Sequence, residues 1–112
     1  MKAKIRFKGK EILIEDIRKC SFFWRFKGLM FTNPRDAQAL LFEFNKKGRQ
    51  AIHSYFVRFP FIAIWLDEEG KIMEYKVISS RNLSIKPEKE FAKLIEVPIT
   101  SKYQAVFDFF SK

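Results

Sequence analysis

One histidine, one cysteine and a run of acids before a glycine are the residues of this 112-residue chain that could carry acid–base or covalent chemistry. His53, in AIHSYFV, titrates near neutral pH in its ordinary state and would act as a general base if a nucleophile or an orienting acid stood within hydrogen-bond reach. In extended backbone its same-face neighbour is Tyr55, while Ser54 points to the opposite face. His53 with Tyr55 is therefore the alternative site, one that would belong to a small hydrolase-like enzyme. Nothing nearby completes it, and a structural or surface histidine is the reading preferred here. Asp67, Glu68 and Glu69 precede Gly70 at what reads as a hairpin tip, where they are solvated turn residues; a hard cation needs more converging oxygens. Cys20 beside Lys19 could be a thiol with a lowered pKa, or a small buried hydrophobe. Alone it closes no intramolecular disulfide, and no cysteine–histidine spacing assembles a zinc site. Gly9, Gly28, Gly48 and Gly70 stand singly, so no phosphate-binding loop is present. The expectation is no catalytic residue, no metal and no cofactor.

Cations and aromatics offer a different chemistry. The net charge is +9, and its placement is uneven. Residues 1–35 hold ten Lys and Arg against Glu11, Glu15 and Asp16, a net +7, whereas residues 36–112 hold twelve against ten acids, a net +2. Within KAKIRFK, Lys2, Lys4, Arg6 and Lys8 share one parity, and Ala3, Ile5 and Phe7 share the other. Side chains of a strand alternate between faces, so this is a half-buried strand whose outer face is a cationic row. SFFWRFKGLMF adds Phe22, Phe23, Trp24 and Phe26 around Arg25 and Lys27, too many aromatics for one face of a helix or strand. Cationic rows that neutralise phosphates, joined to aromatics that stack on bases, are the ingredients of nucleic-acid binding. Lys2, Lys4, Arg6, Lys8, Trp24, Arg25 and Lys27 form that candidate site. The competing reading gives the lysines to solubility and to edge-strand protection, and the aromatics to core packing. Docking to an anionic membrane surface would use the same residues, but there is no long amphipathic helix or lipidation motif.

The elements that must position these residues are strands. Gly9 turns the first strand back into KEILIED, opening the chain with a hairpin. Asn33 and Pro34 are placed to cap a short helix. ALLFEF (39–44) resumes as a strand, and NKKGRQ reads as a loop with Gly48. AIHSYFV and FIAIWLD are strands interrupted near Pro60; apolar residues on both parities from Phe61 to Leu66 predict cover on both faces. Asp67 to Gly70 turns the chain into KIMEYKVI, with Ile64, Leu66, Ile72 and Val77 in or near the core. SSRNLSIKPEKEFAK reads as a long polar connection before a short extended LIEV that ends at Pro98. Tyr103, Val106, Phe107 and Phe110 follow helical spacing, so the tail is a short helix docked by its aromatics.

In this order the parts resemble the family called domain of unknown function 192. KGLMF, then LLFEF, then a strand leading through a proline to IAIWLDEEGKI, then KPEKEFAKLIEVP, are similar to its pattern over about residues 5–98. Two departures matter. The polar series that many members carry before the proline is replaced by His53, Ser54, Tyr55, Phe56 and Val57, and the aspartate two residues after the proline falls on Ile62. The aromatic tail 101–112 takes the place of the usual final strand. What the resemblance implies is a compact β-rich fold and no established activity.

Length and composition fit one domain. With 47% hydrophobic and 17% aromatic residues, the chain can offset the entropy of ordering itself. No segment approaches the 18 uncharged apolar residues of a membrane span, and the basic start lacks the apolar run of an export signal. A reducing, cytoplasmic setting is expected, and three Asn and three Gln against abundant Lys, Glu and Ile suit a thermophilic source. The reading is a mainly β protein: one small barrel-like or sandwich domain of antiparallel hairpins with one or two short helices. Its expected function is that of a non-enzymatic binding or interaction module; a polyanion or nucleic acid is the partner class its basic N-terminal third offers, against the preferred reading of that face as solubilising.

Overall fold

The computed structural model describes residues 2–19, 37–48, 52–53, 60–78, 84–85 and 87–111. The expected helix at Asn33–Pro34 lies outside these residues, as do Cys20, Trp24, Arg25, Lys27 and Tyr55.

Strand β1 (Ala3–Phe7) pairs antiparallel with β2 (Lys10–Ile14), Phe7 opposite Lys10 and Ala3 opposite Ile14. Lys8 and Gly9 between them both have positive φ, +53° and +78°. That is the mirror-image two-residue turn whose twist matches paired strands. The alternation of KAKIRFK holds in space: Ile5 is fully buried, Ala3 and Phe7 are half-buried, and Lys4 and Arg6 are exposed.

Strand β3 (Ile17–Lys19) runs parallel to β4 (Ala39–Gly48). The ribbon of β5 (Ile52–His53) pairs with β8 (Ser84–Ile85). Strand β6 (Phe61–Leu66), β7 (Ile72–Ile78) and β9 (Phe91–Pro98) complete a five-stranded sheet in the order β3-β4-β9-β6-β7. β9 is its centre, antiparallel to β4 on one side and β6 on the other. A 3-10 turn (Ser101–Tyr103) leads into helix α1 (Gln104–Ser111).

The sheet buries both faces. On one, Leu41, Ile62, Ile64, Leu66, Ile95 and Val97 meet Ile5 and Ile14 of the hairpin and Tyr103 and Val106 of the tail. On the other, Leu40, Phe42, Phe61, Ala63, Trp65 and Leu94 form a second cluster with Phe91. All six residues of β6 are buried, as its two-parity apolar pattern predicts. The result is a mainly β, sandwich-like domain rather than a closed barrel.

Three expectations are corrected, and one pairing lies beyond the hairpin reading. Asn45 to Gly48 continue β4 instead of forming a loop; a register shift between Glu43 and Gly48 absorbs their polar sequence. The presumed connection ending in KEFAK contributes Phe91 to Lys93 to the central strand, where Lys93 is only half-buried beside Glu43. The β3–β4 pair is parallel, so the sheet is mixed. Val77 is 52% exposed. It shares a face with Ile62, its cross-strand partner. Phe110 of α1 covers Tyr75 at 4.5 Å between ring centres, one strand repeat short of Val77.

Candidate functional site

The cationic row is present but largely countered. Lys2 faces Glu15 at 3.8 Å, Lys4 faces Glu11 at 3.7 Å, and Arg6 faces Glu69 at 4.0 Å. The hairpin itself causes this. β2 returns antiparallel with Glu11 and Glu15 on the parity of the outer face, and the turn before Gly70 brings Glu69 to Arg6. Exposed pairs at these separations contribute little stability, yet they cancel the local field that would attract a polyanion. Asp67 is not a merely solvated turn residue. Its Oδ1 accepts from the amides of Glu69 and Lys71, each at 2.9 Å, and fixes the turn whose Gly70 carbonyl accepts from Arg6 N at 3.1 Å.

Two cations of the hairpin stand without an ion pair among the described residues: Lys8 in the turn and Lys10 at the start of β2. Both line one cleft of about 300 Å³, with Phe7, Tyr75, Phe109 and Phe110 as its walls. Phe7 meets Tyr75 edge-on at 5.7 Å, and Phe110 lies 4.5 Å from Tyr75 and 6.3 Å from Phe7. All four rings are half-buried, so part of each remains open to solvent. The Lys8 ammonium sits 5.2 Å over the Phe7 ring. Lys10 is the residue the sequence reading missed. A two-residue turn at Lys8-Gly9 places it opposite Phe7, on the core-facing parity, and that register was readable from KGK.

A second cleft, of about 330 Å³ between Leu13 and Val106, differs in electrostatics because it is lined by two acids, Glu15 and Asp16, and one cation, Lys102. Asp16, at φ +53°, accepts from Gln38 Nε2 at 2.9 Å through Oδ1 and pairs with Lys102 through Oδ2. The hydrogen bond from Lys102 holds the Asp16 carboxyl below its ordinary range and raises the Lys102 ammonium in turn. Tyr103 OH donates to the Asp16 carbonyl at 2.9 Å and accepts from Ala39 N at 2.8 Å, so this corner fastens the tail to the sheet.

Glu96, on β9, is 6% exposed and opposite Ala63 on the face of the second cluster. Desolvation pushes its carboxyl up to about 8, so it is a neutral acid at pH 7. Trp65, fully buried on the same face, carries an indole N–H with no hydrogen-bond partner among the described residues. The acid within LIEV was the available signal for Glu96; it passed as part of a short, ordinary strand.

The family model for uncharacterised ACR proteins, domain of unknown function 192, matches residues 8–102. The chain belongs to this family. The matched span takes in Lys8, Lys10, Tyr75 and the β6–β7 hairpin; it begins after Phe7 and ends before Phe109 and Phe110, so three of the four walls of the aromatic cleft lie outside it. Two solved structures share the fold. A proposed transcription regulator from Sinorhizobium meliloti 1021 matches with a TM-score of 0.73 at 14% identity, over 93% of this chain and 82% of that one. A protein of unknown function from Novosphingobium aromaticivorans DSM 12444 matches with a TM-score of 0.71 at 12% identity, over 95% and 77%. At these identities the likeness is one of fold. The search of curated proteins returned no match.

Of the residues singled out in the sequence of this family member, Lys4 and Arg6 lie on the outer face of β1 as the strand pattern put them, Lys2 just precedes that strand, and Lys8 lies in the turn after it rather than on the strand's outer row. Trp24, Arg25 and Lys27 lie outside the described residues, and so does Tyr55. His53 is placed by its backbone alone, paired with Ser84 in the β5–β8 ribbon. Among the described residues no three His, Cys, Asp or Glu side chains gather as a metal site, and no helix is long and apolar enough to cross a membrane.

Proposed function

We propose that this member of the domain of unknown function 192 family is a non-enzymatic binding module for polyanions, with nucleic acid as the partner class. One observation carries the reading: among the described residues, the positive charge of the β1–β2 hairpin that no acid counters is concentrated at Lys8 and Lys10, on the rim of an aromatic cleft. The remainder of the cationic row is neutralised pair by pair, which moves the expected contact from the strand face to the hairpin end. Lysines there meet phosphate as point charges, and half-exposed rings beside them offer stacking surface. The description of the Sinorhizobium neighbour as a proposed transcription regulator falls in the same class, although its 14% identity supports fold alone.

The test is a fluorescence-anisotropy titration of a labelled single-stranded oligonucleotide at about 50 mM salt, where phosphate contacts are strong. Replacing Lys8 and Lys10 together by Gln weakens binding, and replacing Lys4 and Arg6 together changes it little. Absence of binding by the unaltered protein would return the lysines to a solubilising role.

A further inference from the structure

The cleft has a shape that a purely electrostatic surface would not need. Phe7, Tyr75 and Phe110 come from three separate elements, β1, β7 and α1, and their ring centres all lie within 6.3 Å of one another. Together with Lys8 and Lys10, these rings and Phe109 line an open cleft of about 300 Å³, at the lower end of small-molecule pockets. Phe109 adds a fourth wall, edge-on to Phe110 at 5.1 Å. Apolar surface of this kind gains from covering by a flat, apolar body, and a ring offers that body with favourable offset or edge-on contacts. The cations are on the rim rather than the floor: Lys8 is in the turn and Lys10 starts β2, both exposed. A ligand that fits therefore has a planar ring and, on one side of it, an anionic group.

Resting on the polyanion reading above, we propose that this cleft takes a single unstacked base of a single-stranded nucleic acid, with the adjoining phosphate between Lys8 and Lys10. Two consequences separate it from a general basic surface. A duplex keeps its bases stacked on one another and cannot offer one to the cleft. A strand with the same phosphates and no bases keeps the lysine contacts and loses the ring contacts. Base–aromatic stacking is sequence-tolerant, so no strong base preference is expected.

The experiment compares an oligothymidylate, an abasic strand of equal length and a duplex in titrations at about 50 mM salt. The oligothymidylate is expected to bind about ten-fold or more tightly than the abasic strand, as one stacked base supplies, and more tightly than the duplex. Phe110→Leu brings the two single strands to similar affinity. Because Phe110 also packs on the core, amide chemical shifts of the unaltered protein provide a second readout: the oligothymidylate moves Phe7, Tyr75 and Phe110, and the abasic strand moves Lys8 and Lys10 alone. Equal affinity for the thymidine and abasic strands, with unmoved aromatic amides, would overturn the base-in-cleft assignment while leaving the polyanion reading in place. No binding of any of the three would remove both.

Discussion

The hydroxyl of Tyr103 donates to the carbonyl of Asp16 at 2.9 Å while it accepts from the amide of Ala39 at 2.8 Å, joining residues 64 and 87 positions away in sequence. One side-chain oxygen thus satisfies a buried N–H at the start of β4 and ties the tail to the β2–β3 corner. Tyr103→Phe leaves the ring in place and strands that N–H, at a cost of about 1–3 kcal/mol. Urea denaturation read by circular dichroism should show a lower midpoint with an unchanged slope. An unchanged midpoint would mean that the tail is held by its apolar contacts alone.

Glu96 makes stability depend on pH in an unusual direction. Its carboxyl is raised from an ordinary 4.5 to about 8 by burial. Between those values the folded state binds one more proton than the unfolded state, so stability falls as pH rises. It is greatest, as far as this group is concerned, below the unfolded value, and the loss is complete once pH passes the folded one. The slope approaches about 1.4 kcal/mol per pH unit over that window. Glu96→Gln is neutral at every pH. Urea midpoints between pH 5 and pH 8 should therefore decline for the native chain and stay nearly level for the variant. Parallel pH profiles would show that Glu96 is charged and paired.

How much of this was legible follows from the range of each interaction. The hairpins were readable because alternation and turn chemistry are local: Ile5 against Arg6, Lys8-Gly9, Asp67 to Gly70. The central position of β9 was not, since Lys93 and Glu96 disguise a strand whose burial comes from partners on both sides. Pairing of Arg6 with Glu69 and of Tyr103 with Asp16 depends on contacts more than sixty residues apart, which no spacing rule reports. Lys10 was within reach, because a two-residue turn sets its register opposite Phe7. The row's loss of field was partly so, since Glu11 and Glu15 already stood on the returning strand.

Gly70 and Gly9 offer an internal comparison. Both lie in the left-handed region, at φ +86° and +78°, where a Cβ costs about 1–2 kcal/mol. At Gly70 that Cβ would also stand 3.2 Å from the Lys4 carbonyl oxygen, whereas at Gly9 it meets nothing within 4 Å. Gly70→Ala should therefore lower the thermal midpoint more than Gly9→Ala, because it forces apart the turn and β1. Equal losses would show that the turn yields without disturbing the hairpin.

The salt dependence of binding distinguishes the whole cationic row from the hairpin end. Each phosphate neutralised on a single strand contributes about 0.7 to the slope of log affinity against log salt. If Lys2, Lys4, Arg6 and Lys8 all engage phosphate, the slope approaches about 2.8 in magnitude; if Lys8 and Lys10 carry the contact, it is about 1.4. The ion pairs favour the smaller value, since Glu15, Glu11 and Glu69 remain beside the other three cations whatever binds. Anisotropy titrations between about 50 and 200 mM salt should give that smaller slope. Lys8→Gln with Lys10→Gln should flatten it further, and Lys4→Gln with Arg6→Gln should leave it nearly unchanged. A slope near the larger value, reduced by the Lys4 and Arg6 pair, would mean that phosphate displaces the carboxylates and that the strand face is the contact surface.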